Sequence, residues 1–273
     1  MNAIVYKITC VTNLHVGSGE ANFDVIDNTV EKDPVTELPT INSSGVKGAL
    51  RQYFVERGVE SKESKDITDI FGSSPKKSAE KTNSNTADDK DKGKNESETI
   101  PGQVKFYQAD LLARPARASK GDKSYYMITS AEAIAQHIQK MKIFADTNIN
   151  AVPKNCDEVG VEGIAANKEI QLLNESIKMI EDVELRDMPL PVLARNQLED
   201  GISNNLWYEQ VVPHKSIFTF AVSSESAEIL NSFAKVVEEN PYIQFGGNAS
   251  IGYGLCKIEE IGRNYPKCDE VKV

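Results

Sequence analysis

Apolar and polar residues alternate over residues 4–11, and this pattern predicts an opening β-strand. One face of the strand carries four alternate residues, Ile4, Tyr6, Ile8 and Cys10. We therefore expect that face to be at least partly buried. The chain then enters a glycine-bearing turn at residues 15–19, where a loop would be held by a rigid strand.

A helix is predicted next, because apolar residues recur at helical spacing and form one stripe. The stripe consists of Val46, Ala49, Leu50, Tyr53 and Phe54. Residues 38–41 form a short extended segment before it, and Ser43 and Ser44 are the candidate N-caps. Gly58 stands where a C-terminal cap is expected.

Further elements follow the same logic. Residues 104–112 predict a strand, and a helix is predicted from Ser130 onward. Another helix is predicted from Ser224 to Val237, ended by Asn240-Pro241, and a glycine-rich loop then leads into a last strand. The fold class is therefore α+β, in an order compatible with two ferredoxin-like halves.

Two stretches lack such patterns. Residues 73–99 hold no aromatic and no large aliphatic side chain, which predicts a flexible insertion. Residues 145–200 are irregular and polar, and since ordinary loops are rarely that long, we expect an inserted hairpin or arm there. We treat residues 1–273 as a single domain with these two insertions.

The formal net charge of -10 argues against a free-standing, sequence-indifferent nucleic-acid binder, which would need a basic surface. Any contact with RNA must be local. The densest positive run is at residues 114–123, with Arg114, Arg117 and Lys120 as candidate RNA contacts. Lys47 and Arg51 share one helix face, which either meets phosphate or is simply solvated.

The four cysteines are widely separated and form no C-x-x-C pair, so we expect reduced thiols and no zinc site. The chain shows no secretory signal pattern and no run of about 18 apolar residues that could cross a bilayer. We expect a cytoplasmic protein without a membrane partner.

The glycine loop fits neither a phosphate-binding loop of nucleotide hydrolases nor a dinucleotide turn, because a strand follows it and no Lys-Ser/Thr does. Its glycines either let the backbone approach phosphates of another chain or form a tight turn. The glycines in question are Gly246, Gly247, Gly252 and Gly254.

Three histidines are candidates for chemistry. His137 is expected on a helix flank and His214 at the surface, whereas His15 stands beside glycines at the end of a strand. Asp27 lies in an acidic loop whose carboxylates suit hard cations such as Mg²⁺ or Mn²⁺. Turn-forming aspartates are the alternative explanation of that loop.

Taken together, several segments resemble the repeat-associated (RAMP) proteins of CRISPR systems, and most closely the backbone subunit of the type III-B (Cmr) effector complex. They include LHVGSG at 14–19, VKGALR at 46–51, DIFG at 69–72, LWYEQVVP at 206–213 and IQFGGNASIGYG at 243–254, together with residues 25–36, 38–41 and 104–115. The match covers most of the chain in the family's order.

This resemblance implies an RRM-like, ferredoxin-type palm with inserted arms, one of them a thumb hairpin. It implies copies of the chain stacked along a guide RNA with other Cmr subunits, and cleavage of the bound target RNA with a divalent metal ion. By motif position Asp27 is the catalytic residue and metal ligand. His15 and Glu209 match residues near the family's cleavage site and are the two further candidate catalytic residues. Lys47 is expected to hold guide phosphate, with Arg51 one turn later.

The chain departs from the family pattern at three places in this block. Thr29 stands where Pro is usual, Glu37 replaces a common turn Gly, and residues 42–45 replace the usual lead-in to the helix. Two other functions stay open: an architectural RNA-binding subunit in which Asp27 is structural, and a stand-alone RAMP ribonuclease that processes CRISPR repeat transcripts.

Overall fold

The computed structural model describes residues 1–19, 25–57, 65–73, 100–118, 123–145 and 169–266. The described strands are β1 Asn2–Cys10, β2 Thr40–Ile41, β3 Lys105–Phe106, β4 Ala109–Arg117, β5 Tyr125–Ser130, β6 Glu169–Leu172, β7 Glu175–Ile180, β8 Val192–Glu199, β9 Ile202–Gln210, β10 Ile217–Ser224, β11 Tyr242–Gln244 and β12 Leu255–Arg263. The described helices are α1 Ser43–Glu56, α2 Lys65–Phe71, α3 Ala131–Phe144, α4 Asp182–Asp187 and α5 Ala227–Glu239, with a short 3-10 turn at Ala249–Ile251.

Ten of these strands form one sheet, in the order β11-β12-β1-β10-β4-β5-β7-β6, with β2 on β4 and β3 on β10. Strands β5 and β7 pair in parallel, and the other neighbours are antiparallel. The α+β class is confirmed. The succession β1, α1, β4, β10, α5, β12 is the predicted strand-helix-strand order taken twice, and its four strands are adjacent in the sheet.

The two faces of β1 are both buried, which places this strand at the centre of the fold. Tyr6 stacks on Phe220 of β10 and meets Phe233 of α5, in the main core together with α1 and α2. On the opposite face Val5 packs in a cluster with Met141 of α3. Each large apolar side chain buried in this way stabilises the fold by about 1.5–3 kcal/mol.

The predicted stripe of α1 is confirmed, because Val46, Leu50, Tyr53 and Phe54 are its buried residues. The predicted N-caps are wrong: the cap residue is Asn42, whose side chain makes no capping hydrogen bond and instead donates to Glu31. Gly58 lies outside the described residues.

The predicted N-terminal residue is confirmed for one of the other two long helices and wrong for the other. Ser130 is the N-cap of α3, as predicted, and its hydroxyl accepts from the backbone N–H of Ala133. The start predicted for α5 is wrong, since Ser224 ends β10 and Ser226 is the cap. Helix α5 ends at Glu239, directly before Asn240-Pro241.

The predicted strand at 104–112 is divided into β3 and β4, and β4 continues to Arg117. Part of the basic run therefore belongs to the sheet. His137 lies on α3 but not on an exposed flank: it is 2% exposed, and neither ring nitrogen has a hydrogen-bond partner among the described residues. Burial, with a smaller contribution from Lys140, lowers the pKa of His137 to about 4.

Nearly all of the first predicted insertion, residues 74–99, and part of the second, residues 146–168, lie outside the described residues. The described remainder of the second insertion contains the β6–β7 hairpin at the end of the sheet, α4, and β8. Strands β8 and β9 form a separate two-stranded hairpin that continues to Gln210, beyond the predicted range.

Cys10 and Cys256 are free, buried thiols on the paired strands β1 and β12, with 3.9 Å between their sulfur atoms. The other two cysteines, Cys156 and Cys268, lie outside the described residues. Within the described ranges, no helix has the length and apolar character needed to cross a membrane.

Candidate active site

The end of β1, the glycine loop and the base of the β8–β9 hairpin meet at one edge of the sheet. Leu14 pairs with Val212 just after β9, and Gly254 donates its backbone N–H to Asn13. This junction brings His15 next to Glu209 and Gln210, although these two residues lie 194 and 195 positions further along the chain.

His15 is 8% exposed and its ring is held on both sides. Its Nδ1 lies 2.8 Å from the carbonyl oxygen of Gln210. Because a carbonyl only accepts, Nδ1 carries the proton of that hydrogen bond. The other ring nitrogen, Nε2, is 3.8 Å from Oε1 of Glu209 and faces Gly17, where an added Cβ would stand 3.3 Å from it.

Glu209 is a buried carboxylate, 4% exposed, at the centre of this junction. Its Oε1 accepts a hydrogen bond of 2.6 Å from the side-chain amide of Asn248. Its Oε2 has no hydrogen-bond partner in the described part of the chain, but the guanidinium of Arg195 approaches it to 3.8 Å. A buried charge is tolerated only with such partners, so these contacts fix the position of the hairpin base on the sheet.

The glycine loop packs directly on the backbone of His15. Gly247 donates its N–H to the His15 carbonyl at 2.9 Å. Gly246 has a φ of 69°, and an added Cβ would lie 2.2 Å from that carbonyl oxygen; at Gly254 it would lie 1.9 Å from the carbonyl oxygen of Phe245. Close packing within the chain therefore accounts for Gly246 and Gly254.

The remaining two glycines of the loop face open space. An added Cβ would meet nothing within 4 Å at Gly247 or Gly252, and both residues are exposed. Close approach of an RNA backbone at these two positions stays a prediction.

Asp27 is exposed and lies against the same hairpin. Its Oδ2 accepts a hydrogen bond of 2.8 Å from the backbone N–H of Tyr208, the residue before Glu209. The next residue, Asn28, pairs with Glu209 and accepts from the N–H of Gln210. The structure thus brings the three predicted catalytic residues, Asp27, His15 and Glu209, to one junction.

The acidic neighbours of Asp27 are used differently. Asp33 accepts hydrogen bonds from the backbone N–H groups of Val35 and Thr36 and from the side-chain amide of Gln108. Burial acts to raise the pKa of Asp33, but these hydrogen bonds hold it below its usual value. Glu31 accepts from Asn42. These contacts assign Asp33 and Glu31 to the local structure, while Asp24 lies outside the described residues.

The family departures have structural counterparts in this loop. The carbonyl of Thr29 accepts from the N–H of Ser18, and their hydroxyls lie 3.3 Å apart, so this position is tied to the glycine turn. Glu37 has a φ of 57°, the left-handed region in which the family's glycine is unstrained.

A divalent ion at Asp27 would receive few ligands from the chain itself. Among the described ranges, no group of three or more His, Cys, Asp or Glu is arranged to hold a metal ion. Mg²⁺ is commonly held by one or two carboxylates, with phosphate oxygens and water filling its other positions. An exposed single carboxylate fits that type of site.

The predicted RNA contacts divide by exposure. Lys47 and Arg51 are partly exposed on α1, and Arg117 is exposed at the end of β4. Arg114 is only 3% exposed and donates a 2.6 Å hydrogen bond to the carbonyl of Met188; burial lowers its pKa to about 10. Part of its guanidinium is therefore used within the fold. Lys120 lies outside the described residues.

Arg195, Asn248 and Tyr253 were missed by the sequence reasoning. The Arg195 guanidinium lies 5.4 Å from the centre of the Tyr253 ring, in addition to its approach to Glu209. Leu193 is directly opposite Glu209 in the hairpin, so Arg195, two residues later, points to the same face. Only the register of the hairpin would have indicated this role of Arg195, and the irregular sequence pattern of residues 145–200 did not reveal that register.

The fold and this junction, with a hairpin inserted beside a glycine loop, define the class of protein. The sequence model of the RAMP superfamily matches residues 7–257, and the chain therefore belongs to the RAMP superfamily. It is 23% identical to the CRISPR system Cmr endoribonuclease Cmr4 of Pyrococcus furiosus, over 94% of this chain and 95% of the relative.

The fold is shared with chains of solved CRISPR complexes. A chain of the type III-B Cmr-beta complex in its apo state is similar with a TM-score of 0.70 and 20% identity, over 95% of this chain and 97% of that one. A chain of the type III-B Cmr-beta complex bound to cognate target RNA gives 0.64 and 18%, over 94% and 96%.

Proposed function

We propose that the chain is the guide-RNA-binding backbone subunit of a type III-B CRISPR effector complex and cleaves complementary target RNA at regular intervals. The observation that carries this proposal is the meeting of Asp27, His15 and Glu209 at the base of one hairpin in a RAMP chain. The endoribonuclease named for the Pyrococcus furiosus relative, and the target RNA in the Cmr-beta complex, support it.

The architecture supports the same assignment. The strand order β12-β1-β10-β4, with α1 and α5 between strands, suits an RRM-like, ferredoxin-type palm. The separate β8–β9 hairpin suits the thumb. In this proposal copies of the chain line up on one guide RNA in the cytoplasm together with other Cmr subunits, and neighbouring copies complete the basic groove that a chain of net charge -10 lacks.

Asp27 is the catalytic residue of the proposed reaction. Its Oδ2 is held by the Tyr208 N–H, so the carboxylate is oriented while it stays exposed. The carboxylate orients a target 2′-hydroxyl and takes its proton as O2′ attacks the adjacent phosphorus. The P–O5′ bond breaks, and O5′ takes a proton from solvent. The products are a cyclic phosphate and a 5′-hydroxyl.

A bound Mg²⁺ or Mn²⁺, held by Asp27 with RNA phosphate oxygens, would supply positive charge beside the reacting phosphate. His15 and Glu209 act on the site from within the chain, since they are 8% and 4% exposed. They hold β9 against the end of β1 and so place the Tyr208 N–H that orients Asp27. We therefore assign them as positioning residues. Lys47 and Arg51 hold guide phosphate.

The test is cleavage of guide-matched RNA by the reconstituted complex, with wild-type chain against Asp27→Asn, each with and without EDTA. We expect the substitution to slow cleavage about 100-fold or more, while guide binding is unchanged. EDTA should stop the wild type. Asp69→Asn on α2 is the matched control, because it makes the same charge change away from the junction.

Equal cleavage by wild type and Asp27→Asn would refute the catalytic assignment and leave an architectural RNA-binding subunit. Cleavage that survives EDTA would refute the metal requirement. Metal-independent cutting of repeat RNA by the purified chain without partner subunits would instead favour the stand-alone processing ribonuclease.

A further inference from the structure

A cavity of about 680 Å³ lies next to the base of the β8–β9 hairpin. Its walls come from the end of β4, the start of β5, the segment before β8 and the segment between β9 and β10. Its apolar lining includes Leu190, Met188 and four prolines, among them Pro191 and Pro213. A volume of roughly 300–1,000 Å³ is typical of small-molecule sites, so a single nucleotide fits.

The charges that line this cavity are all positive. Arg114, Arg117 and Lys215 are its ionised residues, and the described lining contains no Asp or Glu. In a chain of net charge -10, such a local excess of cations selects an anionic ligand. Arg114 adds a buried donor: the residue is 3% exposed, and its Nε has no hydrogen-bond partner in the described ranges.

An aromatic ring stands beside these cations. Tyr125 is 37% exposed at the start of β5, and the Lys215 ammonium lies 5.3 Å from the centre of its ring. Lys215 has a φ of 73°, and its backbone N–H is bonded to the Cys10 carbonyl, so the turn that carries it is fixed. An exposed ring with adjacent cations is the arrangement by which proteins hold single-stranded nucleic acid.

The cavity is within reach of an RNA strand at the candidate active site. Glu209 contacts His15, and Pro213, four residues later, lines the cavity. Four residues span at most about 14 Å. A strand whose phosphate lies at Asp27 can therefore place a nearby nucleotide here.

We propose that this cavity binds one nucleotide of the RNA strand held at the Asp27 site, with its base against Tyr125 and the prolines and its phosphate on Arg117 and Lys215. This inference rests on the proposed function, because it requires RNA at that site. The combination of a ring, apolar walls and cations favours a nucleotide over an acidic peptide, which would use the cations alone.

The test measures binding of a short fluorescein-labelled oligouridine to the purified full-length chain by fluorescence anisotropy at several salt concentrations. Tyr125→Leu should weaken binding about fivefold or more, because it removes the stacking surface, while Tyr125→Phe should retain it. Arg117→Gln with Lys215→Asn should lower the slope of log affinity against log salt by about 1.4, which corresponds to two phosphate contacts on a single strand. Asn is chosen at 215 because it tolerates a positive φ.

The matched control is Lys105→Gln with Lys235→Gln, which removes two exposed charges outside the cavity lining. It should leave the salt slope and affinity near the wild-type values, and equal thermal unfolding midpoints would show that all variants fold. Wild-type affinity and salt slope in the cavity variants would overturn the proposal. It would also be overturned if these variants kept their affinity for oligouridine but lost self-association or binding of an acidic peptide.

The two proposals fail separately. Unchanged RNA binding by the cavity variants, together with loss of cleavage in Asp27→Asn, would refute nucleotide binding in the cavity and support the proposed function. If the wild-type chain did not bind oligouridine, nucleotide binding in the cavity would be refuted. Cleavage by the reconstituted complex would still decide the function of Asp27.

Discussion

The candidate active site has a buried half and an exposed half, which differ in how many contacts their side chains make within the chain. His15 and Glu209 are 8% and 4% exposed and are tied to Gln210 and Asn248. Asp27 is exposed and is bonded through a single oxygen to the Tyr208 N–H. The contacts within the chain thus fix the positions of His15 and Glu209, while the Asp27 carboxylate, the proposed catalytic group, stays accessible to a substrate.

This difference has a physical reason. A carboxylate that must act on an external substrate cannot have all its hydrogen-bonding capacity used within the protein, whereas its supporting residues are useful only when fixed. Glu209 illustrates the second case, since a buried carboxylate is stable only beside donors such as Asn248 and Arg195. Substitutions in the buried half should therefore change stability, and those in the exposed half should change activity.

The largest expected effect on stability is at Gly246. In Gly246→Ala the new Cβ would stand 2.2 Å from the His15 carbonyl oxygen, and the residue would keep a φ of 69°. The overlap and the left-handed backbone together should lower the free energy of unfolding by about 3 kcal/mol or more. Urea denaturation of the purified chain measures this.

Gly247→Ala is the matched control for that substitution. Its Cβ would meet nothing within 4 Å, so we expect a change of about 0.5 kcal/mol or less. If both alanines were equally well tolerated, the glycine loop would not be packed on His15 as described, and the buried half would lose its support.

Local pattern predicted much of the fold. The stripe of α1, the Ser130 cap and the end of α5 depend on residues within one or two helical turns, and all three are confirmed. The caps at Ser43 and Ser224 are wrong by one or two positions. The strand at β10 continues through Ser224, because it pairs with β1 up to Asn2, and that pairing is not visible in local sequence.

The site could be predicted only in part, because its contacts are distant along the chain. His15 and Gln210 are 195 positions apart, and nothing in the spacing of either indicates their hydrogen bond. Family resemblance singled out Asp27, and the structure adds an independent reason, since Asp33 is used to cap a turn. Arg195 and Asn248 were missed because their role depends on the register of a hairpin and on a left-handed turn at Asn248.

The second-largest effect on stability is expected at Glu209, and the same substitution at Asp27 provides the comparison. Glu209→Ala leaves the Asn248 amide and the Arg195 guanidinium without their buried partner, and should lower the free energy of unfolding by about 2 kcal/mol. Asp27→Ala removes one exposed hydrogen bond and should cost about 0.5 kcal/mol or less. Equal losses in urea denaturation would contradict the division into a buried and an exposed half.

The smallest expected effect is a gain in stability at Glu37, in the loop that follows Asp27. Glu37 lies at a φ of 57° in the acidic loop, a conformation that costs a residue with a side chain about 1–2 kcal/mol. Glu37→Gly removes that cost but gives the unfolded chain more freedom, so the free energy of unfolding should rise by about 0.5–1 kcal/mol. Glu37→Ala, which stays strained, should show no such gain in the same urea titration. Since Asp27 is oriented by Tyr208 and not by this turn, cleavage by the complex should be the same for Glu37→Gly and wild type; a changed rate would mean that the exposed half is positioned by its own loop and not by the buried one.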